Sequence, residues 1–205
     1  MSLYQYDKQM IAGGYPALCG VDEAGRGPLA GPVFAAAVIL PGKYEIPGID
    51  DSKKLTEKKR EKLYDEILKY AVACHIAMAD EGEIDRLNIL QASLLAMRRA
   101  VRGLPASPDL LLVDGNQDPR AGLPTRTVVK GDATSACIAA ASILAKVARD
   151  RYMAELDRKY PQYRFAAHKG YPTKLHYEML DAYGPSPVHR MSFLKKWKGK
   201  QLVSL

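Results

Sequence analysis

Polar stretches divide this chain into apolar segments of two kinds, short runs and longer helical periodicities. The mostly apolar segments 17–24 and 32–40 flank the turn Gly25-Arg26-Gly27-Pro28 and predict two strands of a hairpin. A loop follows over 41–51. Thr56 then has the character of an N-cap for the charged amphipathic stretch Glu57–Tyr70, with Leu63, Ile67 and Leu68 as its inward stripe. Segment 71–79 alternates weakly and predicts a third strand. Residues 83–102 carry Ile84, Leu87, Leu90, Leu94, Leu95 and Val101 at helical spacing, and Gly103 is placed to end that helix.

Leu110-Leu111-Leu112-Val113, within 109–114, is short and unbroken, the pattern of a strand covered on both faces. Residues 126–130 predict another short strand. Residues 134–160 predict a long helix whose first half is small and apolar (Ala136, Ala139, Ala140, Ala141, Ile143, Ala145), so that it can lie close on a sheet. Its second half is charged. The loop His168-Lys169-Gly170-Tyr171-Pro172-Thr173 leads to a short helix through Tyr183, and the tail from Gly184 is Pro-rich and then basic. Strands first, then strands alternating with helices, define an α/β domain with a mixed sheet and a C-terminal helical extension. The expected organisation is a single catalytic domain over 1–205, with a core to about 160 and an extension with a basic tail from about 161.

Composition narrows the partner. At 205 residues, 47% apolar and 26% charged, the chain can bury one core, and its net charge of +7 favours an acidic partner such as nucleic acid or an anionic membrane. The longest clean apolar run, 33–40, is far too short to span a bilayer. The first residues lack the charged-then-apolar layout of a signal peptide. Cys19, Cys74 and Cys137 are far apart, with no zinc spacing, and read as reduced core residues. These features together point to a cytoplasmic protein.

The chemistry concentrates in Gly20-Val21-Asp22-Glu23-Ala24-Gly25-Arg26-Gly27-Pro28. Two adjacent carboxylates end an apolar run, and oxygen ligands of this kind suit a hard divalent cation. An arginine between glycines can bring its backbone close to a phosphate or sugar. Asp114 closes the fourth strand, and Asp132 follows the fifth. Each acid also has a plainer reading. Asp132 could cap the long helix, Asp114-Gly115 could be a turn, and Asp22 and Glu23 point to opposite faces unless their strand twists or ends there. If these ends converge, four carboxylates share one volume and require cations, and two Mg²⁺ ions about 3.5–4 Å apart are the usual solution in phosphoryl-transfer sites. Lys53 and Lys54 read either as phosphate clamps or as a solvated start to the next helix. Lys146 is placed to pair with Asp150, and His75 and His176 read as ordinary surface or core residues. His189, Arg190, Lys195, Lys196, Lys198 and Lys200, interleaved with Phe193 and Trp197, suit either a nucleic-acid contact or a solubilising tail with two anchors.

The block Gly20–Val33, together with Asp51-Ser52-Lys53-Lys54-Leu55, Val113-Asp114-Gly115 and Lys130-Gly131-Asp132-Ala133, resembles the type 2 ribonucleases H, in particular the bacterial ribonuclease HII branch. The helix segment 139–150 and the blocks His168–Thr173 and His189-Arg190-Met191-Ser192-Phe193 extend the resemblance, in order, over about 17–194. Met191 departs from it, standing where the family usually has a basic residue. The resemblance implies a ribonuclease H-like mixed β-sheet flanked by helices. It implies metal-dependent cleavage, with Mg²⁺ or Mn²⁺, of RNA in an RNA/DNA hybrid and of single ribonucleotides in duplex DNA, leaving 5′-phosphate and 3′-hydroxyl ends, by a monomer serving ribonucleotide excision. It carries Asp22, Glu23, Asp114 and Asp132 as metal-site and catalytic acids, Gly25, Arg26 and Gly27 as a ribonucleotide-sensing loop, and Tyr171 as a junction-sensing tyrosine, with Lys53 added as a substrate contact. The related type with an added N-terminal substrate-binding domain is not expected, because few residues precede Gly20. Two readings stay open beside it: a nuclease of the same fold acting on DNA junctions, and a noncatalytic hybrid-binding module.

Overall fold

A computed structural model describes residues 2–42 and 44–197. Five strands form its sheet: β1 (Leu18–Ala24), β2 (Val33–Ile39), β3 (Ala73–Ala79), β4 (Leu110–Asp114) and β5 (Thr125–Val128), in the order β3-β2-β1-β4-β5. The expected hairpin is present, with β1 and β2 antiparallel from Cys19↔Ile39 to Ala24↔Phe34. β3 extends it antiparallel, whereas β4 and β5 add in parallel.

The helices are α1 (Leu3–Ala12), α2 (Glu57–Tyr70), α3 (Glu81–Leu87), α4 (Ile89–Arg102), α5 (Ala136–Lys159), α6 (Phe165–His168) and α7 (Lys174–Tyr183). α4 packs Ala96, Met97 and Ala100 on the face of the sheet carrying Val21, Ala35 and Val113. α5 packs Ala140, Ile143 and Leu144 on the opposite face, against Ala36 and Val38. Both faces of β2 are therefore covered, and all seven of its residues are buried. Alanines on helix and strand keep the layers close, and Gly20 marks the tightest approach: a Cβ there would lie 2.0 Å from the carbonyl carbon of Cys137.

Several boundaries differ from the sequence expectation. The single helix expected over 83–102 is two, because Asn88 at φ +71° breaks the backbone while its side chain accepts the Gln91 N–H and starts α4. Apolar spacing continues across that break, so periodicity does not see it. Leu68 is 46% exposed, which narrows the α2 stripe to Leu63 and Ile67. α5 begins at Ala136 under Ser135, whose Oγ accepts the Ile138 N–H, and Gly131–Ala133 forms a 3-10 turn before it. β5 ends at Val128, short of Lys130, which is left-handed. α1 is an additional element. Its Ser2/Gln5 pair forms a capping box, a spacing readable in the sequence, and its Asp7 accepts the Cys137 N–H at 2.9 Å at the start of α5.

Candidate active site

Pairing of the parallel strands β1 and β4 runs up to Val21↔Val113, so Asp22 and Asp114 stand one residue beyond it on neighbouring strands. Val21 and Val113 belong to the α4 side, and alternation directs Asp22 and Asp114 to the α5 side, where Asp132 sits in the turn leading into α5. Asp114 Oδ1 accepts the Gly131 N–H at 2.6 Å, tying the end of β4 to that turn. Glu23 reaches the same region from the strand end: it and Asp114 line one cleft with Arg26, Ser93, Asn116 and Gln117.

The acids feel one another. Burial raises the carboxyl of Asp22 well above the usual carboxylate range, and the charges of Glu23, Asp114 and Asp132 add to the rise. Burial also raises Glu23, with Arg26 opposing and Asp114 adding, and it raises Asp114, with the Gly131 N–H opposing and Asp132 adding. Two cations already lean on the group. Lys53 Nζ lies 3.0 Å from Asp132 Oδ2, and Arg26 Nη1 lies 3.3 Å from Glu23 Oε1. No three carboxylate, imidazole or thiol groups among the described residues stand at metal-ligating distances. The donor chemistry still fits a hard divalent cation, because the set is all oxygen and its repulsion is what a cation would relieve. Asp22 and Asp132 are buried, while Glu23 and Asp114 face the cleft. A larger concavity, of about 540 Å³, lies elsewhere, between the 44–48 loop and α2.

The loop after β1 lies beside Tyr171. Gly25 takes φ +99°, which side chains rarely adopt, and a Cβ on Gly27 would lie 3.7 Å from Tyr171 Cε1. Leu29 N–H donates to Gly170 O at 2.8 Å, joining the two segments. Tyr171 is 41% exposed, so its ring is open to a substrate. A chain of imidazoles holds its backbone from below. The Ser186 N–H donates to His189 Nδ1 at 2.9 Å, leaving Nε2 of His189 to donate to His176 Nε2 at 3.0 Å, and His176 Nδ1 to donate to Tyr171 O at 3.0 Å. Burial pushes both His176 and His189 down to about 4, which keeps the chain neutral.

Other sequence expectations resolve individually. Lys54 pairs with Asp50 at 3.4 Å, and Lys146 pairs with Asp150 at 2.6 Å as expected. His176 is a core residue and His75 an exposed one. Phe193 and Trp197 are anchors: both pack by Leu29, Leu180 and Leu194, and Trp197 Nε1 donates to Asp181 at 3.0 Å. His189 and Arg190 do not belong to a basic tail, since both are buried. Lys195 and Lys196 are on the surface or near it, and Lys198 and Lys200 lie outside the described residues. Arg149 escaped the sequence reading, although an arginine spaced four residues from both Ala145 and Met153 on an apolar helix face is a visible anomaly.

A mixed five-stranded sheet between helices, with carboxylates gathered at the ends of adjacent parallel strands, defines a hydrolase of the ribonuclease H class. A model of the ribonuclease HII family matches residues 19–196. The ribonuclease HII of Caldicellulosiruptor bescii is 54% identical over 192 residues, covering 94% of this chain and 93% of the relative. Among solved structures, ribonuclease H2 from Pyrococcus horikoshii superposes with a TM-score of 0.71 at 30% identity, over 85% of this chain and 92% of that one. The ribonuclease HII of Archaeoglobus fulgidus, solved as a complex with PCNA, gives a TM-score of 0.70 at 26% identity, over 90% of this chain and 98% of that one. The chain belongs to the ribonuclease HII family and is a ribonuclease H, an endonuclease acting on RNA/DNA hybrids. No helix among the described residues is long and apolar enough to cross a membrane.

Proposed function

We propose that this enzyme also cuts at single ribonucleotides embedded in duplex DNA, by two-metal-ion phosphodiester hydrolysis that leaves 5′-phosphate and 3′-hydroxyl ends. Asp22, Glu23, Asp114 and Asp132 hold the ions, with Mg²⁺ or Mn²⁺ matching the all-oxygen donor set. When bound, the ions supply an activated water and charge stabilisation at the departing oxygen. Lys53 and Arg26 neutralise Asp132 and Glu23 until then, and afterwards turn to the phosphates of the substrate. Gly25, Arg26 and Gly27 bring bare backbone to the 2′-hydroxyl, the group that separates RNA from DNA at one nucleotide. The ring of Tyr171 stacks on the neighbouring deoxyribose. The enzyme acts as a monomer in the cytoplasm, and the free thiols Cys19, Cys74 and Cys137 accord with a reducing compartment.

The observation that carries this reading is the closeness of Tyr171 to Gly27, which lies in the loop that leaves the strand bearing Asp22 and Glu23. Steady-state kinetics of Tyr171→Ala on two substrates test it. Cleavage of a duplex with one ribonucleotide is expected to fall by about 10-fold or more, on the scale of one lost stacking contact, with a smaller loss on a long hybrid, which offers alternative registers. An equal loss on both would mean that Tyr171 does not sense the junction.

A further inference from the structure

Two guanidiniums are buried in this protein without a carboxylate clamp. Arg149 on α5 and Arg190 after α7 are 1% and 0% exposed. Glu81 acts on both through its charge, but its buried Oε1 has no hydrogen-bond partner. Their donors go to backbone carbonyls instead. Arg190 Nε, Nη1 and Nη2 donate to Gly31 O at 2.8 Å, Arg26 O at 3.0 Å and Gly25 O at 2.7 Å. Arg149 Nε, Nη2 and Nη1 donate to Pro32 O at 3.2 Å, Ala30 O at 3.2 Å and Lys169 O at 3.0 Å. Two forks thus gather five carbonyls of the loop between β1 and β2. They also reach the segment carrying Tyr171, whose ring centre lies 5.8 Å from Arg149 Cζ.

Stability alone does not call for this arrangement, since buried charges are often replaceable by well-packed apolar groups. Its consequence for the loop is geometric. In a trans peptide the carbonyl of one residue and the N–H of the next point in opposite directions. Drawing the carbonyls of Gly25 and Arg26 inward turns the N–H groups of Arg26 and Gly27 outward, and among the described residues neither donates to a protein acceptor. Gly25 is part of the same device, because a Cβ there would lie 2.0 Å from Arg149 Nε.

We propose that Arg149 and Arg190 are positioning residues for ribonucleotide selectivity: they aim the amides of Arg26 and Gly27 at the sugar and lock that loop to the Tyr171 segment. This rests on the proposed role of the loop as a sugar reader. The test uses the full chain, with Arg190→Lys and Arg149→Lys, which keep the charge and lose the fork. Folding is checked by circular dichroism. Cleavage is measured in Mg²⁺ on a duplex with one ribonucleotide and on a long hybrid. Binding is measured in Ca²⁺ by fluorescence anisotropy, comparing the one-ribonucleotide duplex with an all-DNA duplex. For the folded variants kcat/KM at the single ribonucleotide is expected to fall about 100-fold, the scale of a misplacement near 1 Å. The long hybrid is expected to lose clearly less, and the binding preference for the ribonucleotide to collapse.

Arg149→Lys gives up the longer bonds and carries the test if Arg190→Lys does not fold. A folded variant that keeps wild-type selectivity, or that loses both substrates equally, overturns the proposal. Wild-type enzyme that binds the ribonucleotide no better than all-DNA overturns the sugar-reading role itself, and this proposal with it.

Discussion

Asp22 concentrates the physical problem of the site in one residue. Its carboxylate is buried at the end of β1 and faces the charges of Glu23, Asp114 and Asp132. A group whose pKa is raised on folding costs stability at neutral pH, where it must ionise against that environment. Asp22→Asn keeps the acceptor that receives the Glu23 N–H and removes the charge. It is expected to abolish cleavage and, in chelator at pH 7.5, to stabilise the protein by about 1 kcal/mol, or roughly 2–4 °C in Tm. A lower Tm would mean that neighbouring donors stabilise the carboxylate more than repulsion penalises it. Asp22, Glu23 and Asp114 were legible in the sequence because each ends an apolar run, and Asp132 because it stands between a short strand and the long helix. Arg190 and His189 were not: the sequence groups them with the lysines from 195 onward, whereas a bridge between Ala30 and His189 carries the segment into the interior.

At the scale of elements, the closeness of α5 to the sheet sets the geometry of the strand ends. The small residues of α5 announced that closeness, and Gly20 is where it is tightest, at the Cys137 backbone. Gly20→Ala forces a backbone shift, because the obstacle is main chain and not a rotatable side chain. A destabilisation of about 1–3 kcal/mol is expected from such overpacking, read as a lower urea midpoint at unchanged slope. Activity should fall as well, since Asp22 follows two residues later. An unchanged midpoint would show that the helix can move away freely. The division between α3 and α4 stayed hidden for the converse reason. Ile84, Leu87, Leu90 and Leu94 keep a helical spacing through a backbone break that only the positive φ of Asn88 creates.

Across the whole molecule, the C-terminal part is joined to the sheet domain through buried polar groups, and these make the fold sensitive to acid. His176 and His189 fall from 6.5 to about 4 on folding, so the unfolded chain binds more protons than the native one between those values. Their contribution is fully present above pH 6.5 and is lost as pH falls toward 4. His168, also lowered by burial, acts in the same direction, with Asp157 opposing and Arg164 adding. The raised carboxyls of Asp22, Glu23 and Asp114 act with the opposite sign, favouring the folded state as pH falls. The histidine effect is therefore read as a difference. The stability gap between wild type and His189→Gln should shift in favour of the variant, by on the order of 2 kcal/mol, between pH 6.5 and 4. A gap independent of pH over that range would show that folding does not depress the His189 imidazole.

Local patterning determined most of the elements of this protein: the hairpin, the buried fourth strand, α2 under Thr56 and the small-residue face of α5. It also placed Asp22, Glu23 and Asp114 at strand ends and Asp132 in the turn before α5, because apolar runs that stop at a carboxylate mark both the element and its exit. The resemblance in the ordered blocks then supplied the family. What only tertiary structure decided is which distant groups share a volume. Strand register brings Asp114 beside Asp22, a turn brings Asp132 to the same face, and the C-terminal segment returns to place Tyr171 against Gly27 and Arg190 beneath the loop. The physical reason is that burial, charge coupling and carbonyl direction are relations between segments 20 to 165 residues apart, whereas periodicity and capping report on a few neighbours along the chain.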